Sequence, residues 1–319
     1  MTDSQTGPSR TVKERRVALV TGGTGFIGSH LVQRLVSDGW SVHAIVRPSS
    51  DLTPLSDCIE KIVLHVHDGS TLALEQLVRS THPDVTFHLA ALSVANHDSE
   101  TLEALIRDNI LFSTQLMEAV ARCDIKNFVN TGTFWQHYEN REYSPTSLYA
   151  ATKQAFEAIV QYYVEVRACR TITLTLFDSY GPRDPREKIF SLLSKAAASA
   201  EPLPMSPGEQ FLDLVYIDDI IDAYLLAAER LLGDNVQCNE HYAVSSGQPI
   251  KLQQLIKLYE SITNIKLAIE WGGRPYRERE IMKPWDAGVA LPGWYPKIPL
   301  DVGILRTLEG AFKNGTQGG

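Results

Sequence analysis

Residues 17–30, which read VALVTGGTGFIGSH, decide the fold of this chain. The first five are apolar or β-branched and predict a buried strand of a parallel sheet. Gly22, Gly25 and Gly28 follow, and the amphipathic run that begins at Ser29 predicts a helix. Glycines let a backbone turn sharply and approach a diphosphate, and free N–H groups at a helix start attract its charge. The segment therefore predicts a dinucleotide-binding turn, although its G-x-x-G-x-x-G spacing also fits an ordinary tight strand–helix connection.

The remaining chain predicts an alternation of strands and helices. Further strands are expected at 41–46, 61–66, 85–90, 128–133 and 171–177. Two long helices are expected over 100–122 and 147–166, where apolar residues recur with the helical period. This alternation predicts an α/β fold with a doubly wound parallel sheet that is covered by helices on both faces.

The composition of the chain excludes several classes of protein. Its 319 residues are 44% apolar and carry a formal charge of −8, which suits one large or two closely joined domains that do not bind nucleic acid. The four cysteines are scattered and predict neither a disulfide framework nor a metal site. Without an apolar run of membrane length or an apolar leader, we expect a cytoplasmic protein with no membrane contact and a disordered tail over 1–15.

Two residues of the second long helix point to acid–base chemistry. Tyr149 and Lys153 are four residues apart, so they share one helical face, and that face is apolar. A lysine on such a face is costly unless it has a task, and an ammonium beside a phenol lowers the pKa of the phenol. Thr133, at the end of a predicted strand, adds a hydroxyl. The alternative is a helix whose tyrosine closes the core while its lysine reaches solvent.

With these residues the chain resembles the extended short-chain dehydrogenases/reductases of the sugar-nucleotide epimerase/dehydratase family. The similarity spans about 16–308 and includes TGGTGFIGSH (21–30), FHLAA (87–91), DNILFSTQLMEAV (108–120), NTGT (130–133), YAATK (149–153), FDSYGPRDP (177–185), GEQFLDLVYIDDI (208–220), YAVSSG (242–247) and LPGWYPKIPL (291–300). The resemblance implies that Thr133, Tyr149 and Lys153 are catalytic, with Lys153 also holding the nicotinamide ribose.

The resemblance also implies an architecture. We expect an NADP-binding Rossmann domain over 16–179 and 213–246 and a smaller sugar-nucleotide-binding lobe over 180–212 and 247–319. Relatives form homodimers through a four-helix bundle, here expected from the two long helices, with apolar surface from Tyr162, Tyr163 and Val166.

The choice of cofactor is predicted from the end of the second strand. NAD-preferring relatives carry a carboxylate where this chain has Val46, and here Arg47 and two serines follow. A guanidinium suits the 2′-phosphate of NADP(H), which makes NAD(H) the less favoured cofactor; the alternative is a solvated loop arginine. The expected cofactor-binding residues are Gly22, Gly25, Phe26, Ile27, Gly28, Arg47, Ser49, Ser50, Asp68, Gly69, Ala90, Ala91, Tyr149 and Lys153.

The reaction is predicted from the residues that follow Thr133. Relatives that eliminate water carry Asp-Glu there, whereas this chain has Phe134-Trp135. The chain resembles most the 4-ketoreductases such as CDP-abequose and CDP-paratose synthases. We therefore expect NADPH-dependent reduction of the C4 keto group of a CDP- or dTDP-linked 4-keto-6-deoxyhexose. The alternatives are a sugar-nucleotide 4-epimerase with tightly bound NAD and a non-catalytic NADP-sensing regulator.

The expected substrate-binding residues follow the family pattern with departures. Asp178 stands where relatives carry Asn, and Leu212 stands where relatives carry an Arg that grips the diphosphate. Anion binding would then pass to cationic side chains, although a solvated basic face is the alternative. Asn109 corresponds to a family asparagine, with a satisfied core amide as its alternative. The expected set is Asn109, Asp178, Lys188, Arg274 and Arg277.

Overall fold

A computed structural model describes residues 15–199, 201–233 and 238–315, with side chains as far as 309. The expected disordered tail lies outside the described residues except for Arg15, as do the last four residues of the expected lobe. The strands are β1 (Val17–Thr21), β2 (Ser41–Val46), β3 (Ile62–Val66), β4 (Val85–His88), β5 (Asn127–Thr133), β6 (Arg170–Leu176), β7 (Asp178–Tyr180), β8 (Leu203–Met205), β9 (Phe211–Leu212), β10 (Leu214–Tyr216), β11 (Asn239–Val244), β12 (Ile250–Lys251) and β13 (Ile269–Trp271). The α-helices are α1 (Phe26–Ser37), α2 (Thr71–Thr81), α3 (Ser99–Ile106), α4 (Phe112–Arg122), α5 (Leu148–Arg167), α6 (Ile189–Ala197), α7 (Ile217–Leu232), α8 (Leu252–Thr263) and α9 (Leu300–Gly315).

The central sheet has seven parallel strands in the order β11-β6-β5-β4-β1-β2-β3. The order reverses direction between β1 and β4, which is the place where open α/β sheets leave a crevice at their carboxyl edge. The predicted doubly wound parallel fold is therefore confirmed. Strand β4 ends at His88, two residues earlier than predicted, because the next residues approach the glycine turn and Ala90 N donates to Thr21 Oγ1 at 3.3 Å.

Two apolar layers bury the two faces of the sheet. Ala18 and Val20 of β1 belong to one layer, which includes residues of α1 and α7. Leu19, between them, belongs to the other layer, which includes residues of α2, α4 and α5. This alternation is the two-residue period of a strand whose both faces are buried, and it explains why β1 is uniformly apolar.

A π-helical turn, Arg107–Leu111, joins α3 to α4, so the predicted helix over 100–122 is one continuous rod with an extra residue inserted. Insertions of this kind often mark functional positions in helices. Asn109 lies in the turn and is buried. It accepts a hydrogen bond from Leu92 N at 2.7 Å and donates to Leu92 O and Thr152 Oγ1, so it ties the segment after β4 to α5.

Asp219, in the first turn of α7, fastens the C-terminal segment to the sheet. Its carboxylate accepts hydrogen bonds from Lys297 N and Ile298 N, each at 3.0 Å, and its carbonyl accepts one from Trp294 Nε1 at 2.8 Å. Because the carboxylate is buried, losing it would leave two backbone donors without an acceptor. The segment 247–309 is thereby held against the fold, while its division into a separate lobe stays a prediction.

None of the helices in the described ranges combines the length and the apolar character needed to cross a membrane.

Candidate active site

The glycine turn gives the site its anion-binding end. Helix α1 begins after Gly25, with no side-chain cap and no acidic residue in its first turn. Gly22 has φ +71°, and a Cβ there would lie 2.6 Å from Ala90 N, while a Cβ at Gly28 would lie 2.0 Å from the Gly22 carbonyl oxygen. Only glycine permits this approach. The first-turn N–H groups therefore have no side-chain acceptor from their own cap, and the turn fits the diphosphate of a dinucleotide.

A cavity of about 240 Å³ opens beside this turn. Its lining brings together residues that lie far apart in the sequence. From the turn come Gly22, Gly25, Phe26, Ile27 and Gly28, from the segment after β4 comes Ala91, and from β5 and α5 come Thr133, Tyr149 and Lys153. The structure thus places the expected catalytic residues within one cavity with the expected diphosphate-binding residues.

Tyr149 is the proton-transfer candidate of this cavity. It is buried, and burial raises the pKa of its phenol, while hydrogen bonding with the hydroxyls of Ser93 and Thr133 works in the opposite direction. The expectation of a lowered phenol pKa is wrong for this cavity, because burial outweighs the favourable contacts. Sequence reasoning missed Ser93, whose signal was its position directly behind the FHLAA segment.

Lys153 is the buried cation of the same helix. Its side chain belongs to a residue that is only 4% exposed, and burial lowers its pKa to about 8. Glu157, one helical turn further on, opposes this shift. The lysine is therefore close to losing its charge near neutral pH, which is unusual for an ammonium.

A second cavity of about 1120 Å³ adjoins the first, and both are lined by Ser93, Phe134, Trp135, Asp178 and Lys188, among others. Arg274 and Arg277 line the larger cavity as well, so the structure brings all three expected cationic residues to one space. Two of them lie near the same aromatic ring: Lys188 Nζ is 5.9 Å and Arg277 Cζ 5.8 Å from the centre of the Trp135 indole.

Asp178 also faces this space. Burial raises the pKa of its carboxyl, and Lys188 at 3.9 Å opposes that effect. The charge of this carboxylate is balanced in part by the nearby Lys188, and its oxygens can accept hydrogen bonds from a sugar. Leu212 lines the same cavity and offers no charge.

Four aromatic rings stack in a column between the sheet and the C-terminal segment. The ring centres of Phe134 and Phe177 are 4.8 Å apart, those of Phe177 and Trp285 are 6.5 Å apart, and those of Trp285 and His137 are 3.8 Å apart. Adjacent rings are tilted by no more than 15°. The phenyl group of Phe134 thus packs into a stack directly after Thr133, and sequence reasoning missed this role of Trp285 because no local pattern links it to β5.

The remaining expected residues lie outside the lining of these two cavities. Arg47 has an exposed side chain (73%) that pairs with Asp108 at 3.5 Å, and its backbone N–H donates to Ser50 Oγ at 2.9 Å. Asp68 accepts from Ser70 N at 2.8 Å, and the carbonyl of Gly69 accepts from Gln115. The exposed Ser49, the partly buried Ala90 and the bonded Asn109 complete this group.

A doubly wound sheet with a glycine-rich first turn and a buried Tyr–Lys pair at its carboxyl edge defines a dinucleotide-dependent α/β enzyme. Residues 18–244 match the NAD dependent epimerase/dehydratase family, and the chain belongs to this family, as the sequence resemblance indicated. Membership supports a nicotinamide cofactor, whereas the expected preference for NADP stays a prediction.

Individual relatives span nearly the whole chain. The protein is 28% identical to CDP-abequose synthase from Salmonella muenchen over 91% of this chain and 96% of that protein. It is 28% identical to UDP-glucose 4-epimerase from Mycolicibacterium smegmatis over 94% of this chain and 99% of that protein. The solved structure of UDP-glucose 4-epimerase with UDP-glucose from Thermotoga maritima has a TM-score of 0.80 and 25% identity, covering 93% of this chain and 99% of that one.

The buried charge of Lys153 predicts a measurable dependence of stability on pH. The folded-state pKa of about 8 lies below that of the unfolded chain, so the unfolded state binds more protons between the two values. The cost of burying the charge is therefore fully present below pH 8 and is relieved as the pH rises. Relative to Lys153→Met, the wild type should gain about 2 kcal/mol of unfolding free energy between pH 7 and pH 10.

Urea unfolding of both proteins at the two pH values measures this difference. The contributions of titrating groups that the substitution leaves unchanged are the same in both proteins and are removed by the subtraction. Lys283→Met, at an exposed lysine, is the matched control for exchanging a lysine for a methionine. A pH-independent difference for Lys153→Met would show that the lysine keeps an ordinary pKa.

Proposed function

We propose that the protein reduces the C4 keto group of a nucleotide-linked 4-keto-6-deoxyhexose with NADPH. The observation that carries the proposal is the packing of the two residues that follow Thr133. Phe134 is buried in the ring column and Trp135 lies near two cationic side chains, so this stretch presents no carboxylate for eliminating water. Tyr149, Thr133 and Lys153 are nevertheless assembled in one cavity. The match to CDP-abequose synthase over most of both chains supports the proposal.

In this mechanism Tyr149 is the general acid. When bound, a reduced nicotinamide would supply a hydride for C4. Tyr149 would give its proton to the carbonyl oxygen, so that the ketone gains one hydride and one proton and becomes an alcohol. The phenol is protonated before the reaction, and the hydroxyls of Ser93 and Thr133, which lower its pKa, assist release of the proton. The hydroxyls of Thr133 and Ser93 hold the reacting oxygen, and the ammonium of Lys153 favours the phenolate that remains.

The larger cavity would hold the nucleotide diphosphate. Its volume of about 1120 Å³ slightly exceeds the usual range of small-ligand pockets, about 300–1,000 Å³. Lys188, Arg274 and Arg277 supply positive charge around it, which would compensate for the absence of a cation at Leu212. A CDP- or dTDP-linked sugar fits this arrangement.

The second candidate is a sugar-nucleotide 4-epimerase, favoured by the likeness to UDP-glucose 4-epimerases in both sequence and structure. An epimerase oxidises and then reduces the same carbon, so it returns its cofactor unchanged. The two candidates separate when the purified protein is mixed with NADPH and CDP-, dTDP- or GDP-linked 4-keto-6-deoxy sugars. Consumption of NADPH with formation of a C4 alcohol, followed by NMR, supports the reductase; tightly held NAD and no consumption support the epimerase.

Replacing the proposed acid should slow the chemical step without disturbing the cofactor. We expect Tyr149→Phe to lower kcat by roughly 10²–10⁴, the usual contribution of a general acid, and to leave the Kd for NADPH nearly unchanged. Steady-state kinetics and fluorescence titration measure the two quantities. Tyr143→Phe, at an exposed tyrosine, is the control and should behave as wild type. Wild-type turnover by Tyr149→Phe would remove this tyrosine from the mechanism.

The proposed preference for NADPH rests on Arg47. Its exposed guanidinium can exchange the 3.5 Å pair with Asp108 for the 2′-phosphate, which carries more negative charge. A charge-assisted hydrogen bond contributes about 1.5–3 kcal/mol, so Arg47→Ala should raise the Kd for NADPH roughly 10- to 150-fold and leave the Kd for NADH almost unchanged.

Isothermal titration of both cofactors measures these constants. Arg79→Ala removes an exposed arginine from α2 and serves as the control. Equal weakening of both cofactors would mean that Arg47 stacks on the adenine, and the assignment of NADPH at this residue would fail.

We also propose a homodimer through the face formed by α3, the π-helical turn and α5. Exposed apolar side chains cluster on these elements: Leu102, Ile106, Leu111, Tyr162 and Val166. The expected contribution of Tyr163 is wrong, because this residue is buried and its hydroxyl donates to Glu118 at 2.9 Å. Burial of such a patch in a second copy would remove it from water.

Light scattering at micromolar concentration should give about twice the chain mass of 35.5 kDa. The double variant Leu111→Glu/Val166→Glu should be monomeric, because it buries two charges in the proposed interface. Val66→Glu places a charge on the exposed edge strand β3 and should stay dimeric. A monomeric wild type contradicts the proposal.

A further inference from the structure

Glu157 lies beside the proposed catalytic residues and has no role in the mechanism described above. It follows Lys153 by one turn of α5, and its side chain is only 11% exposed. A Cβ at Gly132 would lie 3.1 Å from Glu157 Oε1, so the carboxylate packs against the residue that precedes Thr133. Burying a carboxylate costs free energy unless it is bonded or paired.

The hydrogen bonds of the carboxylate connect it to the proposed oxygen-holding residue. The side chain of Gln136 is buried; its Nε2 donates to Glu157 Oε1 at 3.0 Å, and its Oε1 accepts from Thr133 N at 2.9 Å. Gln136 also donates to Gln154 Oε1 at 2.9 Å. One amide thus joins the end of β5 to the two polar side chains of α5 around Lys153.

We propose that Glu157 is a positioning residue that keeps the buried Lys153 ammonium charged, and thereby keeps the site competent to bind the cofactor. The inference rests on the role of Lys153 in the proposed function. Residues four apart on a helix are neighbours, and opposite charges at that spacing attract. In a buried site this attraction is less screened than at the surface.

The electrostatic surroundings of Lys153 agree with this role. Burial lowers the lysine pKa to about 8, and Glu157 is the charge that opposes the shift. His88 on β4 is fully buried, and its pKa is held well below the ordinary value, so it stays neutral. The phenol of Tyr149 is neutral near pH 7, and burial raises its pKa further. Without the carboxylate, desolvation would carry the lysine pKa below 8.

His241 on β11 is the surface end of this arrangement. Its Nδ1 lies 3.8 Å from Glu157 Oε2, and its side chain is 46% exposed. His241 is thus the side chain of β11 that faces the Glu157 carboxylate from the solvent side.

The test is the pH dependence of cofactor affinity in Glu157→Gln. Glutamine keeps the shape and can still accept from Gln136, but it removes the charge. Fluorescence titration with NADPH from pH 6 to pH 9 measures the Kd of the full-length protein. If the lysine pKa falls by one unit, the variant should bind about fivefold more weakly than wild type at pH 8 and equally well at pH 6.

Two further variants separate charge from structure. Glu157→Asp retains a carboxylate and should return the pH profile toward that of wild type. Glu165→Gln removes an exposed carboxylate from the same helix and should leave the profile unchanged. Uniform weakening of Glu157→Gln at every pH, or profiles that coincide with wild type, would overturn the inference. The readout needs no sugar substrate, so a protein that shows the shift but reduces no 4-keto sugar refutes the proposed reaction alone.

Discussion

The fit between Gly28 and the carbonyl of Gly22 is the constraint on which the rest of the site depends. A Cβ at position 28 would lie 2.0 Å from that oxygen, so the first turn of α1 packs directly against the end of β1. The same turn brings Gly22 against the backbone of Ala90, directly after β4. Two consequences follow from one contact: a helix end free of side chains and a crevice beside it.

Burial has opposite consequences for the two residues at the centre of that crevice. It disfavours the charged form of each group, which keeps the phenol of Tyr149 protonated but threatens the ammonium of Lys153. In the proposed reduction the phenol must still release its proton and the lysine must keep its charge, so both effects of burial have to be opposed. In our proposal the carboxylate of Glu157 keeps the lysine charged. Burying this carboxylate costs free energy, and the hydrogen bond from Gln136 stabilises it.

The fold was predictable from the sequence because its signals are local. Strand and helix periods fixed the parallel sheet, and glycines at three-residue spacing fixed the turn at residues 22–28. The pairing of Tyr149 with Lys153 was visible as helical spacing. Contacts between distant segments were not visible: the stacking of Trp285 on His137 and the pairing of Arg47 with Asp108 depend on how the elements pack.

The direction of a pKa shift is the second property that sequence reasoning does not predict. Adjacent positive charge suggested a lowered phenol pKa at Tyr149, but the sign depends on how much water reaches the phenol, which spacing does not give. The expectation that Tyr163 contributes to the exposed face of α5 is wrong for a related reason. Tyr162 and Tyr163 are adjacent and therefore point in different directions; the exposed one faces away, while the other is buried beside Glu118.

The proposed catalytic residues and the residues that line the cavities around them therefore bear on different questions: the first on the type of chemistry, the second on the substrate. The Thr–Tyr–Lys layer suits hydride transfer at a sugar carbon in either direction, so it is compatible with both the synthase and the epimerase relatives. The walls of the two cavities include Phe134 and Phe177 of the ring column, the carboxyl of Asp178 facing Lys188, and the uncharged Leu212. In the proposed function Thr133, Tyr149 and Lys153 supply the reacting groups, so the choice of reaction and substrate falls to the residues that surround them.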